Sequence, residues 1–267
     1  MANILDKIFR DKKEELEETR RQRSLSDLKG LMQGRQEPKP VVPALRQNDA
    51  GSRIIAEIKR RTPFKGELVA DFDALRIARE YAANGAAAMS ILTESRHFGG
   101  QLDYLDQISW EVGIPLLRKD FIFSEYQVYE ARAFGADFFL LIATSLDKNQ
   151  LSDLKALGQE LGMPALVEAH NEEDLEKALY AGSEIIGINN RDLTNGKTDL
   201  NITRRLLTMA KTAGDPTLVC ESGIRGREEI DEFEQAGIHA FLIGETLMRA
   251  ESIPDKLGEL TGHGKAA

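Results

Sequence analysis

The chain has 267 residues, 42% hydrophobic and 30% charged, enough for one large α/β domain or two small ones with a sizeable buried core. Its formal net charge of −9 argues against general binding to nucleic acid or an anionic membrane, while leaving room for a local basic pocket that takes a small anion. The single cysteine, Cys220, excludes an intrachain disulfide and fits a reducing, cytoplasmic setting.

Residues 3 to about 33 read as helical. Ile4, Leu5, Ile8 and Phe9 form an apolar stripe at helical spacing. Charges from Asp6 onward leave no apolar core of the kind a secretory signal needs. Ser24 suits the cap of a second helix. The proline-rich stretch 38–51, PKPVVPALRQNDAG, reads as an extended connector.

The texture then changes. Short apolar runs begin near residues 53, 87, 114, 137, 164, 184, 217 and 240, with amphipathic helical stretches between them. Even the longest such runs, for example FFLLIA (138–143), are far too short to span a membrane. Four of the helical stretches end in a glycine directly before the next run: Gly85, Gly135, Gly182 and Gly237. Continuous apolar strands separated by helices imply a parallel sheet covered by helices. Eight units match a (β/α)8 barrel, a fold of typically ~250 residues. A doubly wound open sheet fits less well, because no G-x-G-x-x-G follows the first strand. This reading makes residues 1–50 an N-terminal helical extension packed on the barrel, and residues 51–267 the barrel itself.

Barrel active sites lie at the C-terminal ends of the strands, and polar groups concentrate there. Strand 1 ends with Glu57 and Lys59, strand 2 with Glu94, strand 3 with Lys119 and strand 5 with Glu168. Strand 6 ends with Asn189 and Arg191, strand 7 with Glu221 and Ser222; strand 4 ends in IATS, without charge. Exposure at a strand end accounts for any one of these equally well. Glu57 and Lys59 are different, since they sit within an apolar strand, two apart and therefore on one face. A buried ion pair is costly unless it has a use.

Ser222–Gly223 and Gly244–Glu245 each follow a strand and precede a helix. Loops after strands 7 and 8 form the usual phosphate site of such barrels. Arg60 or Lys65, after strand 1, adds positive charge. None of the four histidines pairs with another at metal-ligand spacing, so no metal is expected. His170 follows Glu168 by two and could face the mouth, though a solvated loop residue is the simpler reading, and Cys220 reads as packed core. Lys119 suits a Schiff base, and lysine–glutamate pairs suit acid–base work equally well. The residues describe an enzyme for a small phosphorylated substrate, working without a cofactor.

AEIKRRTP with KG, ILTE with FGG, LRKDFI, LVEAH, IGINNRDL, ESGI and FLIGETLMR resemble, in order and over nearly the whole chain, the motifs of the indole-3-glycerol-phosphate synthase family. The resemblance implies a lyase of tryptophan biosynthesis. Its substrate would be 1-(2-carboxyphenylamino)-1-deoxyribulose 5-phosphate, and its products indole-3-glycerol phosphate, carbon dioxide and water. It implies Lys119 as general acid and Glu168 as general base, with Lys59 on the anthranilate carboxylate and as a further proton donor. Glu57, Asn189, Arg191 and Glu221 would orient these groups and the substrate hydroxyls. Ser222, Gly223, Gly244 and Glu245 would bind phosphate, with Arg60 and Thr62 nearby. Which lysine is the acid in each step stays open.

Two positions depart from the family pattern. Thr62-Pro63-Phe64 stands where serine-proline-serine is usual, and Glu245 where serine is common. A carboxylate beside a phosphate is repulsive, so the Glu245 side chain is expected to turn away while its N–H still binds. A phosphate-binding isomerase barrel is the rival enzyme, but it would carry Cys/Asp or Asp/Asp pairs rather than two lysines and several glutamates. A non-catalytic scaffold would have lost the charges. The expected partner is a small molecule only, with no nucleic acid and no membrane, and the chain a monomer or weak homodimer. The N-terminal helices are expected to cover part of the mouth.

Overall fold

The computed structural model describes residues 4–46, 51–192, 194–212 and 214–263. Eight strands close into a barrel: β1 (Arg53–Ile58), β2 (Ala88–Leu92), β3 (Leu116–Lys119), β4 (Phe138–Ile142), β5 (Ala165–Ala169), β6 (Ile185–Asn189), β7 (Thr217–Glu221) and β8 (Ala240–Ile243). Every strand is parallel to its sequence neighbours, and β8 closes on β1 with Ile54 opposite Phe241. The expected (β/α)8 barrel is therefore the fold.

Three helices precede the barrel: α1 (Ile4–Gln22), α2 (Leu25–Met32) and α3 (Val41–Arg46). Between the strands lie α4 (Ala74–Ala83), α5 (Leu102–Glu111), α6 (Glu125–Ala133), α7 (Lys148–Glu160), α8 (Glu172–Tyr180), α9 (Asn201–Thr212) and α10 (Arg227–Ala236). The short α11 (Glu245–Met248) and α12 (Ile253–Thr261) follow β8. Gly85, Gly135, Gly182 and Gly237 all have positive φ, the left-handed turn that ends a helix before a strand. Among the described residues no helix is long and apolar enough to cross a membrane.

The period-two rule organises the barrel. Ile55, Leu117, Leu166, Ile185, Val219 and Leu242 point inward and share one apolar cluster. Ile54, Ala56 and Ile58 point outward, into the cluster beneath the helices. Two residues beyond the inward set stand Glu57, Lys119, Glu168, Gly187, Glu221 and Gly244. The inner face therefore changes from hydrocarbon to charge toward the C-terminal ends of the strands.

The N-terminal segment touches both ends of the barrel. At the top, Lys12 of α1 pairs with Asp120, just beyond β3, at 2.9 Å. Phe9 packs edge-on against Phe121. Capped by Ser24 as expected, α2 packs on α6. The stretch read as an extended connector contains α3 instead. Val41 and Leu45 join the inner apolar cluster, and that burial stabilises a helix which Pro38, Pro40 and Pro43 do not announce. Lys39 pairs with Asp137, before β4, and Arg46 reaches His239, before β8, so α3 lies under the barrel floor. Residues 47–50 of that connector lie outside the described residues.

Candidate active site

A cavity of about 750 Å³ opens at the C-terminal ends of the strands. Glu57, Lys59, Lys119, Glu168, Asn189 and Glu221 line its base, and Arg191, Ser222, Gly223, Gly244 and Glu245 its wall. These eleven sequence-predicted residues are brought together. Glu94, Arg60 and Thr62 are not on the cavity wall. Glu94 is buried, and its carboxylate accepts backbone N–H bonds from Arg96, His97 and Phe98 at 2.8–3.0 Å. It shapes the loop after β2 that brings Phe98 to the cavity. Thr62 Oγ1 accepts from the Lys65 N–H, which sets the turn carrying Lys65. Arg60 pairs with Glu67 at the surface.

Glu57 and Lys59 form an ion pair at the base of the cavity. Lys119 Nζ donates to Glu168 Oε2 at 3.2 Å. Burial works against the lysine's charge, but the carboxylates of Glu168, Glu221 and Glu57 outweigh it, and its pKa is raised above the ordinary value. Burial likewise pushes Glu168 up, yet Lys119, then His170, reverse this and hold it down to about 2. Glu221 goes the other way. Its burial, and then the negative charge of Glu168, push it well above the ordinary carboxylate value. Its Oε1 is buried without a hydrogen-bond partner.

Two glycines make room for these carboxylates. A Cβ on Gly187 would collide with Glu221 Oε1, and one on Gly244 with Glu57 Oε2. Glycine inside a strand marks such a close approach, and the run IIGIN carried that signal unread. His170 is not a solvated loop residue: its Nε2 lies 3.3 Å from Glu168 Oε1. Asp120 is a further missed residue, buried between Lys12, Arg118 and Thr93 directly after Lys119. Cys220 is buried near Asn190 and Thr203, and its pKa, pushed up to about 12 chiefly by burial, leaves it an inert thiol.

The wall has a distinct character. Ser222 has φ 64° and Gly223 φ 91°, two successive left-handed residues after β7. For a non-glycine residue this conformation is uncommon and is found at constrained sites. Thr246 Oγ1 donates to the Ile224 carbonyl at 2.7 Å and ties the loops after β7 and β8 together. The Glu245 carboxylate pairs with Lys65, Arg191 and Arg249 on the cavity lining. Phe64 packs on the loop after β6, where a Cβ on Gly196 would sit 2.5 Å from its ring.

The family model for indole-3-glycerol phosphate synthase matches residues 5–260. The indole-3-glycerol phosphate synthase of Campylobacter jejuni subsp. doylei is 45% identical over 250 residues, covering 93% of this chain and 96% of that one. This chain belongs to the indole-3-glycerol phosphate synthase family. The synthase of Desulfosudis oleivorans is also 45% identical, over 97% of this chain and 99% of its own. Among solved structures, 3-hexulose-6-phosphate synthase superposes with a TM-score of 0.63 at 16% identity, over 79% of this chain and 99% of that one. A chain of the tryptophan synthase complex from Pyrococcus furiosus gives 0.59 at 13% identity, covering 80% and 99%. Both likenesses concern the barrel fold alone.

Proposed function

We propose that this mouth closes the indole ring of 1-(2-carboxyphenylamino)-1-deoxyribulose 5-phosphate, with Lys119 as general acid and Glu168 as general base. The activity is that of an indole-3-glycerol phosphate synthase, a carboxy-lyase of tryptophan biosynthesis. The observation that carries the residue roles is the convergence of two lysines and three glutamates on the base of one cavity.

The ring carbon bearing the carboxylate attacks the sugar carbonyl, and a carbon–carbon bond forms as the carbonyl electrons move to oxygen. Lys119, protonated in the free enzyme, neutralises that oxygen by donating its proton. The carboxylate leaves as carbon dioxide, and its bonding pair restores the aromatic ring. The new hydroxyl then departs as water with one donated proton, while a base removes the proton from the adjacent carbon.

A Glu168 held down to about 2 is a weak base while its lysine is charged. Once Lys119 has given up its proton, the ion pair that depressed Glu168 is gone and its basicity rises. The acid step thus prepares the base step, as coupled titration requires. Lys59, paired with Glu57, faces the same cavity and suits the substrate carboxylate. The orphaned Glu221 Oε1 suits a substrate hydroxyl. Ser222–Gly223 and Gly244–Glu245 suit the phosphate, which anchors the flexible chain so that the two reacting carbons meet. Conversion of the carboxyphenylamino substrate to a fluorescent indole product by the purified protein tests this reading.

A further inference from the structure

Three cations meet one carboxylate at the cavity wall. Lys65 Nζ lies 2.6 Å from Glu245 Oε1, and Arg249 Nε lies 3.2 Å from the same oxygen. Arg191 Nη2 lies 3.8 Å from Oε2. Lys65 belongs to the loop after β1, Arg191 to the loop after β6 and Arg249 to the end of α11. All four residues line the cavity beside Ser222 and Gly223. Burial opposes the charge on Glu245, but the hydrogen bond and charge of Lys65, then Arg191 and Arg249, lower its pKa, so the group is an anion at neutral pH.

Without an anion between them, the three cations would repel one another; Arg191 is also anchored by its Nη1 bond to the Gly196 carbonyl at 2.9 Å, so the positions of Lys65 and Arg249 depend most on Glu245. Glu245 holds them in place from within the chain. We infer that Glu245 is a built-in stand-in for the substrate phosphate: its carboxylate gathers Lys65, Arg191 and Arg249 in the free enzyme, and the incoming phosphate must displace it to take them over. This rests on the reading of the wall as the phosphate subsite. The Glu245 side chain is 22% exposed at the cavity rim, so it can swing outward without unpacking the core. The consequence is a subsite that is preassembled yet self-competing. It binds phosphate groups more weakly than the same wall with a serine, and it lets a phosphorylated product leave more readily.

The direction of one change separates this from a purely structural clasp. Removing a clasp loosens the loops and weakens phosphate binding; removing a competitor tightens it. The experiment measures inhibition of substrate turnover by inorganic phosphate in the full-length enzyme, with Glu245→Gln, Glu245→Ser and Lys65→Met beside the unaltered chain. Glutamine keeps the shape and removes the charge. The expected result is a phosphate Ki lowered about tenfold in both Glu245 variants, since juxtaposed like charges oppose binding strongly, with the substrate KM falling in step. Lys65→Met raises the Ki. A Ki unchanged or raised in Glu245→Gln and Glu245→Ser overturns the inference and leaves the subsite reading standing. Turnover that phosphate inhibits in none of the four proteins overturns the subsite reading, and the inference with it.

Discussion

The Lys119 ammonium sits 3.2 Å from the Glu168 carboxylate, and each fixes the charge of the other. The pair stores a proton on the lysine and a negative charge on the glutamate at the base of the cavity. Removal of the lysine removes the acid and also strips Glu168 of its counter-ion.

Lys119→Ala is expected to lower kcat by about 10³-fold or more, within the range for loss of a general acid. The barrel remains folded, because Lys119 lies at the cavity rather than in the hydrocarbon core. Steady-state indole fluorescence beside a circular dichroism spectrum checks both halves. Lys119→Arg keeps the counter-ion without an easily released proton, and its kcat is expected to stay low.

Glu221 holds a proton in the folded chain that the unfolded chain releases above the ordinary value of 4.5. Its pKa is raised on folding, so its favourable contribution is present at low pH and is lost as pH rises toward the folded-state value. Glu221→Gln removes that dependence. Its Tm is expected to exceed that of the unaltered chain by a margin that grows as pH rises above the ordinary value of 4.5, while kcat falls. A series of thermal melts across this range measures the margin.

Asp120 shifts in the opposite sense. Burial raises it, but Lys12 and Arg118 bring it down from 3.8 to about 2. The stability it contributes is present above pH 4 and is lost as pH falls through about 2. Lys12→Met is expected to cost about 2 kcal/mol, below the ~3–5 kcal/mol of a fully broken buried pair, because Arg118 still faces Asp120. Urea titrations at pH 7 and pH 3 should show the variant's deficit shrinking in acid. Removing residues 1–45 altogether is a poorer probe of the mouth, since it also takes Val41 and Leu45 from the inner cluster.

Phe64 and Gly196 join the loops after β1 and β6. Gly196→Ala meets two obstacles, the Phe64 ring and a φ of 74°. KM is expected to rise several-fold as the loops separate. Adding Phe64→Ala should recover the steric part and leave the backbone part, so the double variant falls between Gly196→Ala and the unaltered chain in KM.

Much of this was legible because strand periodicity is local. Glu57 and Lys59, two apart in an apolar run, announced an inward-facing polar layer, and the glycine stops announced the repeat. What escaped was set by tertiary contact. Nothing in the sequence places α3 under the barrel, because its helix is stabilised by a floor assembled from distant strands. Glu94 carries the same charge as Glu168 at a strand end, yet it turns into its own loop to satisfy three N–H groups. Lys12 and Asp120 meet across more than a hundred residues of chain. Phe64, puzzling beside the family's usual serine, is explained by the bare backbone of Gly196 opposite it.

The most direct test of the central claim is turnover of 1-(2-carboxyphenylamino)-1-deoxyribulose 5-phosphate by the purified full-length chain, followed by indole fluorescence. The unaltered protein should release indole-3-glycerol phosphate and one equivalent of carbon dioxide, and Lys119→Ala should release neither at a comparable rate. An absence of indole product from the folded, unaltered protein, under conditions where an established synthase makes it, would contradict the account.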